Sequence, residues 1–355
     1  MSNITSVKPV EHDIFQIAWE STLKCNLDCS YCGDGHDNKQ PHPSLESSLA
    51  TIDFIVEYVD LQMKSRLDKR ANLNVQGGES VFHPNILEIL EYANSKTKGL
   101  DWNLDVNIIT NAVVKDKVWK RIVPLINFFT ISFHSESSFE QQEQVRKNIL
   151  YLVKQDKNFQ ISMLMHPKYW DTCTDMVEWC QKHNVKYVIR QIDHHWADFR
   201  FNYNKEQIKY ITGNEAPSVV QVIKSVATNG INLSAQSREC CGGTELCTNN
   251  GCTKRVENKF KGWHCSVDKK FLYIRQTTGE VFTNKDCRMN WDGKVGPLGN
   301  LSDTKSILDR VKAGTETIIC KKSSCWCGLC ATKAKTKAQY DQLISERTCH
   351  SHNGC

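Results

Sequence analysis

Along the first two thirds of the chain the apolar residues switch repeatedly between a period of two and a period of 3.6, the signatures of strands and of amphipathic helices. DIFQIAW (13–19) reads as a strand. SLESSLATIDFIVEYV (44–59) has apolar residues at 45, 49, 52, 55, 56 and 59, the helical period, with Ser44 as N-cap after Pro43. NLNVQ (72–76) is a second strand, PNILEILEYANSK a helix and LDVNIIT (104–110) a third strand. A helix over about 115–126 leads to the strand FFTISFH (128–134), then FEQQEQVRKNILYLVKQ is helical. FQISMLM (159–165), the helix DMVEWCQKH and VKYVIRQI (185–192) complete the series. Six β-α repeats with short connections predict an α/β fold, a parallel sheet covered by helices and open or partly closed into a barrel. Ligands of such folds gather at the C-terminal ends of the strands. That rule brings four features to one face: Cys25–Cys32, Gly77-Gly78-Glu79, Thr110-Asn111 and Ser132-Phe133-His134.

Composition changes this picture only through cysteine. The 355 residues, 40% apolar and 24% charged, suit one large domain and a smaller one in a soluble globular protein. The net charge of +5 is spread along the chain, so it does not point to a polyanion. Lys333, Lys335 and Lys337 read as a solvated helix face rather than a nucleic-acid surface. No apolar run reaches the ~18 residues of a membrane span, and MSNITSVKPVEHD lacks the apolar stretch of a secretory signal, which predicts a cytoplasmic protein. The 17 cysteines are unevenly placed: three at 25–32, Cys173 and Cys180, and twelve from Cys240 onward. In a reducing cytosol such clusters are metal ligands before they are disulfides. Cys173 and Cys180 are the exception, since their spacing puts both on one helix face with Met176 and Val177, as packing residues.

Cys25, Cys29 and Cys32 lie in CNLDCSYC, one thiol short of a closed site. Taken alone, the triplet fits zinc with a distant fourth ligand, His36 being one candidate, or an iron–sulfur cluster with one iron lacking a protein ligand. CNLDCSYC resembles the C-x3-C-x-φ-C signature of the radical S-adenosylmethionine (SAM) superfamily, with Tyr31 as the aromatic φ, and QGGES resembles that family's GGE motif on the following strand. The resemblance covers about residues 13–235 and implies a partial (β/α)6 TIM-type barrel after a short N-terminal arm (1–12). It further implies a [4Fe–4S] cluster on Cys25, Cys29 and Cys32, whose remaining iron is chelated by the amino and carboxylate groups of SAM. An electron from the cluster then breaks a carbon–sulfur bond, and the resulting 5′-deoxyadenosyl radical abstracts hydrogen from a substrate. Gly77 and Gly78 would let backbone approach the methionine moiety, with Glu79 or its neighbouring backbone as partner of the ammonium. Asn111 and Ser132 match positions that bind the ribose or the carboxylate, and the guanidinium fork of Arg146 suits the carboxylate. His134, His166 and Arg190 either line the cavity or are ordinary structural residues.

From residue 236 the pattern changes to a Cys-rich segment with a terminal tail (236–355). WHCSVDKKFLYIRQTTGEVFTNKDC reads as two strands around a Thr-Gly turn, flanked by Cys265 and Cys287, and CKKSSCWCGLC adds Cys320, Cys325, Cys327 and Cys330. This arrangement looks like the SPASM or twitch extension of radical SAM enzymes, a small auxiliary-cluster domain, and implies one or two auxiliary [4Fe–4S] clusters on these six cysteines. The final run is C-x4-C-x-C-x2-C where the family usually has C-x2-C-x5-C-x3-C, so cluster number and ligands stay open, with zinc as the alternative. Cys240, Cys241, Cys247 and Cys252 have no counterpart in that pattern, and the tail CHSHNGC offers ligand-type side chains in a terminal segment, where order is seldom kept.

Three functions follow. The first is a radical SAM enzyme acting on a peptide or protein side chain, supplied with electrons by a reductant such as flavodoxin or ferredoxin. The arm of about a dozen residues before the first strand is too short for a leader-peptide recognition domain, which weighs against this reading without excluding a peptide whose recognition protein is separate. The second acts on a small molecule such as a sugar, nucleotide or cofactor precursor. The third is a non-catalytic metal-binding or electron-transfer protein, which would form no 5′-deoxyadenosine.

Overall fold

The computed structural model describes residues 6–7, 14–32, 39–64, 66, 68–192, 201–213, 260–284, 287–291, 294–314, 317–321 and 331–349. In chain order its elements are β1 (Ser6–Val7), β2 (Phe15–Thr22), α1 (Leu45–Met63), β3 (Arg70–Gly77), α2 (Ile86–Lys96), β4 (Asn103–Thr110), α3 (Asp116–Ile122) and β5 (Phe128–Phe133). There follow α4 (Phe139–Lys154), β6 (Asn158–Met165), α5 (Trp170–Lys182), β7 (Tyr187–Gln191) and α6 (Lys205–Gly213). The C-terminal part adds β8 (His264–Cys265), β9 (Phe271–Arg275), β10 (Glu280–Phe282), β11 (Gly299–Asn300), α7 (Thr304–Lys312), β12 (Ile318–Ile319), β13 (Lys333–Ala334) and α8 (Lys337–Cys349).

Alternation along the strands explains the main sheet. Phe15, Ile17 and Trp19 of β2, Leu73 and Val75 of β3, Val106 and Ile108 of β4 and Phe129 and Ile131 of β5 are all buried, and they share one core with the apolar stripes of the helices. Each such side chain contributes roughly 1.5–3 kcal/mol on burial. Helix starts are set locally. Ser44 accepts a hydrogen bond from the Ser47 N–H at the head of α1, and Ser138 and Gln141 form a capping box on α4. The strands order as β11-β10-β9-β2-β3-β4-β5-β6-β7. From β9 to β7 all neighbours are parallel, and β10 and β11 run antiparallel at the β9 edge. The result is a mostly parallel α/β sheet covered by helices, as the repeats predict, running from β11 at one edge to β7 at the other. The opposite face of β2–β4 is polar. Asn74 donates to Gln16 Oε1 at 3.4 Å and accepts from Asn107 at 3.5 Å, a row of carboxamides across three strands, with buried Asn72 beside it.

Two expectations need correction. The helix expected over 115–126 stops at Ile122 and passes into a 3-10 turn over Val123–Leu125, where Pro124 has no N–H to continue an α-helix. Lys333 does not lie on a solvated helix. It is a wholly buried residue of β13, its ammonium donating to the Ala331 carbonyl at 3.3 Å and lying 5.1 Å from the Phe260 ring centre. The predicted hairpin around Thr278-Gly279 is present as β9 and β10, and β9 extends the sheet by pairing in parallel with β2. A second, four-stranded sheet orders as β1-β13-β8-β12. Among the described residues no helix is long and apolar enough to cross a membrane.

Candidate active site

The loop that follows β2 carries Cys25 and Cys29, both half-buried, and Cys32, which is exposed. A turn holds the latter two in register, the Cys32 N–H donating to the Cys29 carbonyl at 3.1 Å, and the Leu27 N–H points at Cys25 Sγ at 3.4 Å. The thiols feel one another's charge. Burial pushes Cys25 up to about 11 and Cys29 up to about 12, and the nearby carboxylates Glu79 and Glu136 add to the rise. A metal bound to these thiols would draw off their protons. Among the described residues no three His, Cys, Asp or Glu side chains converge on a single ion.

The Gly77-Gly78-Glu79 segment grips this loop from behind. The Gly78 N–H donates to Thr22 O at 2.8 Å and the Glu79 N–H to Lys24 O at 2.7 Å. Gly77 has φ +147°, and a Cβ there would stand 2.1 Å from the Thr22 carbonyl oxygen; one on Gly78 would stand 2.3 Å from that of Lys24. Only glycine allows two backbones so close. The Glu79 carboxylate is buried and accepts from Thr110 Oγ1 at 2.8 Å, the Asn111 N–H at 2.6 Å and the Val81 N–H at 3.1 Å. Burial nevertheless outweighs these donors and pushes its pKa up to about 7.

Asn111, at the end of β4, transmits that grip. Its Nδ2 donates to Asn26 Oδ1 at 2.8 Å and lies 3.8 Å from Cys25 Sγ, its Oδ1 accepts from the Val113 N–H at 2.8 Å, and Asn26 donates to the Val113 carbonyl at 2.8 Å. The next residue, Ala112, has φ +56°, a left-handed conformation that costs a side-chain-bearing residue about 1–2 kcal/mol. Asn148 donates to its carbonyl at 2.9 Å and holds it there.

Across the loop, Glu136 binds Ser30 twice: the Ser30 N–H and hydroxyl each donate to one carboxylate oxygen at 2.6 Å. Tyr31 is buried and stacks on His134, with His166 and Phe201 around it. Burial pushes the Tyr31 phenol up and holds His134 down to about 4, so the ring is neutral, and the phenol oxygen and His134 Nδ1 share a hydrogen bond at 2.8 Å. His166 is also satisfied in part, its Nδ1 accepting from the Lys168 N–H at 3.1 Å, while its Nε2 faces Glu136 at 3.4 Å.

By sequence, no protein-family model and no curated protein matches the chain. By structure, anSMEcpe with bound AdoMet and the Cp18Cys peptide matches at 15% identity over 95% of this chain and 98% of that chain, with a TM-score of 0.54. The chain shares that protein's fold. anSMEcpe with bound AdoMet alone matches at 13% identity over 96% of this chain and 99% of that one, with a TM-score of 0.51. Streptococcus suis SuiB bound to S-adenosylmethionine matches at 12% identity with a TM-score of 0.48, over 77% of this chain and 60% of that chain.

Within this fold, the structure brings Cys25, Cys29, Cys32, Tyr31, Gly77, Gly78, Glu79 and Asn111 into one assembly. Ser132 lies near the end of β5 opposite Ser162, on the face away from buried Ile131 and Phe133. Arg146 is not drawn to the loop. It pairs with Glu143 one turn back on α4, and its charge is felt at Cys180 of α5. Arg190, on β7, stands opposite Leu164, which packs with Tyr31 and Cys29. Cys173 and Cys180 are fully buried packing residues, as their spacing predicts. Cys265, Cys287 and Cys320 lie buried in a single small cluster with Phe260, Val267 and Met289. His36, Cys240, Cys241, Cys247, Cys252, Cys325, Cys327, Cys330, His350, His352 and Cys355 fall outside the described residues, and so does the side chain of Cys349. Sequence reasoning missed Asn26, Ser30 and Glu136. The strand-end rule that found His134 reaches Glu136 two residues later, but nothing local tells that its carboxylate turns back onto the cysteine loop.

Proposed function

We propose that this protein is a radical SAM enzyme that uses a [4Fe–4S] cluster held by Cys25, Cys29 and Cys32. The observation that carries the reading is the assembly of three thiols on a loop clamped by Glu79 and Asn111 behind and by Glu136 in front. With SAM bound, the cluster supplies reductive cleavage to a 5′-deoxyadenosyl radical able to abstract hydrogen from an unactivated carbon. This chain's residues do the rest. Asn111 and Asn26 keep Cys25 in place, Tyr31 and neutral His134 give a flat apolar wall, and exposed Cys32 marks the side from which a ligand arrives. Ser132 and Arg190 would face the substrate.

The substrate we favour is a peptide or protein side chain. The likeness to anSMEcpe, which holds a peptide, extends over nearly the whole of both chains, and the polar sheet face with its carboxamide row suits a hydrogen-bonding ligand. Cys265, Cys287 and Cys320, gathered in one buried cluster, would hold an auxiliary [4Fe–4S] cluster of SPASM type, with Cys325, Cys327 and Cys330 available to it or to a second. A flavodoxin or ferredoxin would deliver the electrons. Anaerobic reconstitution with iron and sulfide, followed by SAM and a reductant, is expected to yield 5′-deoxyadenosine in the wild type and none when Cys25, Cys29 and Cys32 are all alanine. Undiminished SAM cleavage by the triple variant overturns the assignment.

A further inference from the structure

We infer that Glu136 is a positioning residue of the cysteine loop, and that it places one fixed negative charge beside the cluster. The inference rests on the function proposed above and concerns a residue that no motif marks.

Glu136 sits three residues beyond Phe133, the last residue of β5, and makes both of its hydrogen bonds to Ser30, the residue immediately after Cys29. Two 2.6 Å contacts, one to a main-chain N–H and one to a hydroxyl, fix both the position and the rotation of the peptide between Cys29 and Tyr31. A charge-assisted pair of this kind is about twice as strong as two neutral bonds. Another side-chain tether of the loop, Asn26 to Asn111 and Val113, acts four residues earlier. Without Glu136 the stretch from Cys29 to Cys32 would keep its internal turn but lose the side-chain anchor on Ser30. The charge also reaches beyond Ser30, because its field acts on Cys29, Tyr31, His134 and His166. Of the histidines beside it, His166 faces it at 3.4 Å and is itself buried, and desolvation disfavours the protonated form of both His166 and His134. The carboxylate's field is therefore felt at the thiolates. A negative charge there disfavours adding an electron to whatever the thiolates hold.

Two variants separate anchoring from charge. Glu136→Gln keeps an acceptor for Ser30 and removes the charge; Glu136→Ala removes both. Iron and acid-labile sulfide should stay at the wild-type level in Glu136→Gln and fall in Glu136→Ala. In an EPR-monitored titration with dithionite, which supplies one electron per cluster, the midpoint of Glu136→Gln should move to more positive potential. At a fixed potential its reduced-to-oxidised ratio should rise about tenfold, equivalent to about 59 mV for a one-electron couple. A midpoint and spectrum unchanged from wild type in both variants, or a negative shift in Glu136→Gln, overturns the inference. Wild-type protein that takes up zinc and no iron overturns the reading beneath it, and is told apart by the metal analysis alone.

Discussion

Glu79 and Asn111 show how a motif can owe its identity to the loop it holds. Each looks in the sequence like a ligand contact, yet the Glu79 carboxylate is already committed to three donors, and Asn111 divides its amide between Asn26 and Val113. The glycines are explained in the same way, by the carbonyls of Thr22 and Lys24. Gly77→Ala, which would need both φ +147° and a Cβ 2.1 Å from an oxygen, should destabilise the protein by more than about 2 kcal/mol and lower iron uptake. Denaturant titration of the metal-free protein reads the first effect and iron analysis the second. A buried acid elsewhere offers a test by pH. Burial raises the Asp268 pKa from 3.8 to about 6, and its Oδ1 has no hydrogen-bond partner. The folded state thus holds this proton more tightly than the unfolded chain does. The stabilisation is complete below pH 3.8 and is lost as pH rises through about 6, a swing of up to about 3 kcal/mol. Asp268→Asn should flatten the fall of the unfolding free energy between pH 4 and 7 by about that amount, read by denaturant titration at each pH.

At the scale of elements, the sequence made the six repeats legible because each strand alternates and each helix follows its own period, both local signals. Ser44 and the Cys173–Cys180 face were legible for the same reason. The partner of β2 was not. β9 lies some 250 residues along the chain from β2, yet Gln16–Glu20 pair with Phe271–Arg275, and no local pattern encodes such a pairing. Lys333 was misread because β13 is only two residues long, too short for any period to show. The β2–β9 junction is secured by polar contacts: Tyr273 donates to Glu20 at 2.8 Å, and Trp19 Nε1 donates to Gln276 at 2.8 Å. Tyr273→Phe removes the donor from a buried carboxylate. It should cost about 1–3 kcal/mol in denaturant unfolding, more than the same change at an exposed tyrosine.

Over the whole molecule, the sheet ties the cysteine loop to the C-terminal segment, because β2 both feeds the loop and pairs with β9, whose hairpin lies between Cys265 and Cys287. The small four-stranded sheet sets Cys265 opposite both Ile318 and Lys333, and Cys320 follows β12 into the same buried cluster. Lys333 stands directly across the sheet from Cys265, so its positive charge would lie beside any cluster these cysteines hold. This arrangement yields a test of cooperation between the two sites. Reconstituted wild type should carry more than about four irons per chain. Replacing Cys265, Cys287 and Cys320 together by serine should remove the excess and leave the first cluster, so that SAM is still cleaved to 5′-deoxyadenosine while turnover of any peptide substrate stops. Lys333→Met should lower the potential of the auxiliary cluster without changing that of the first, because a positive charge beside a cluster favours the reduced form. Equal iron content in wild type and the triple variant would assign these cysteines to the packed core alone.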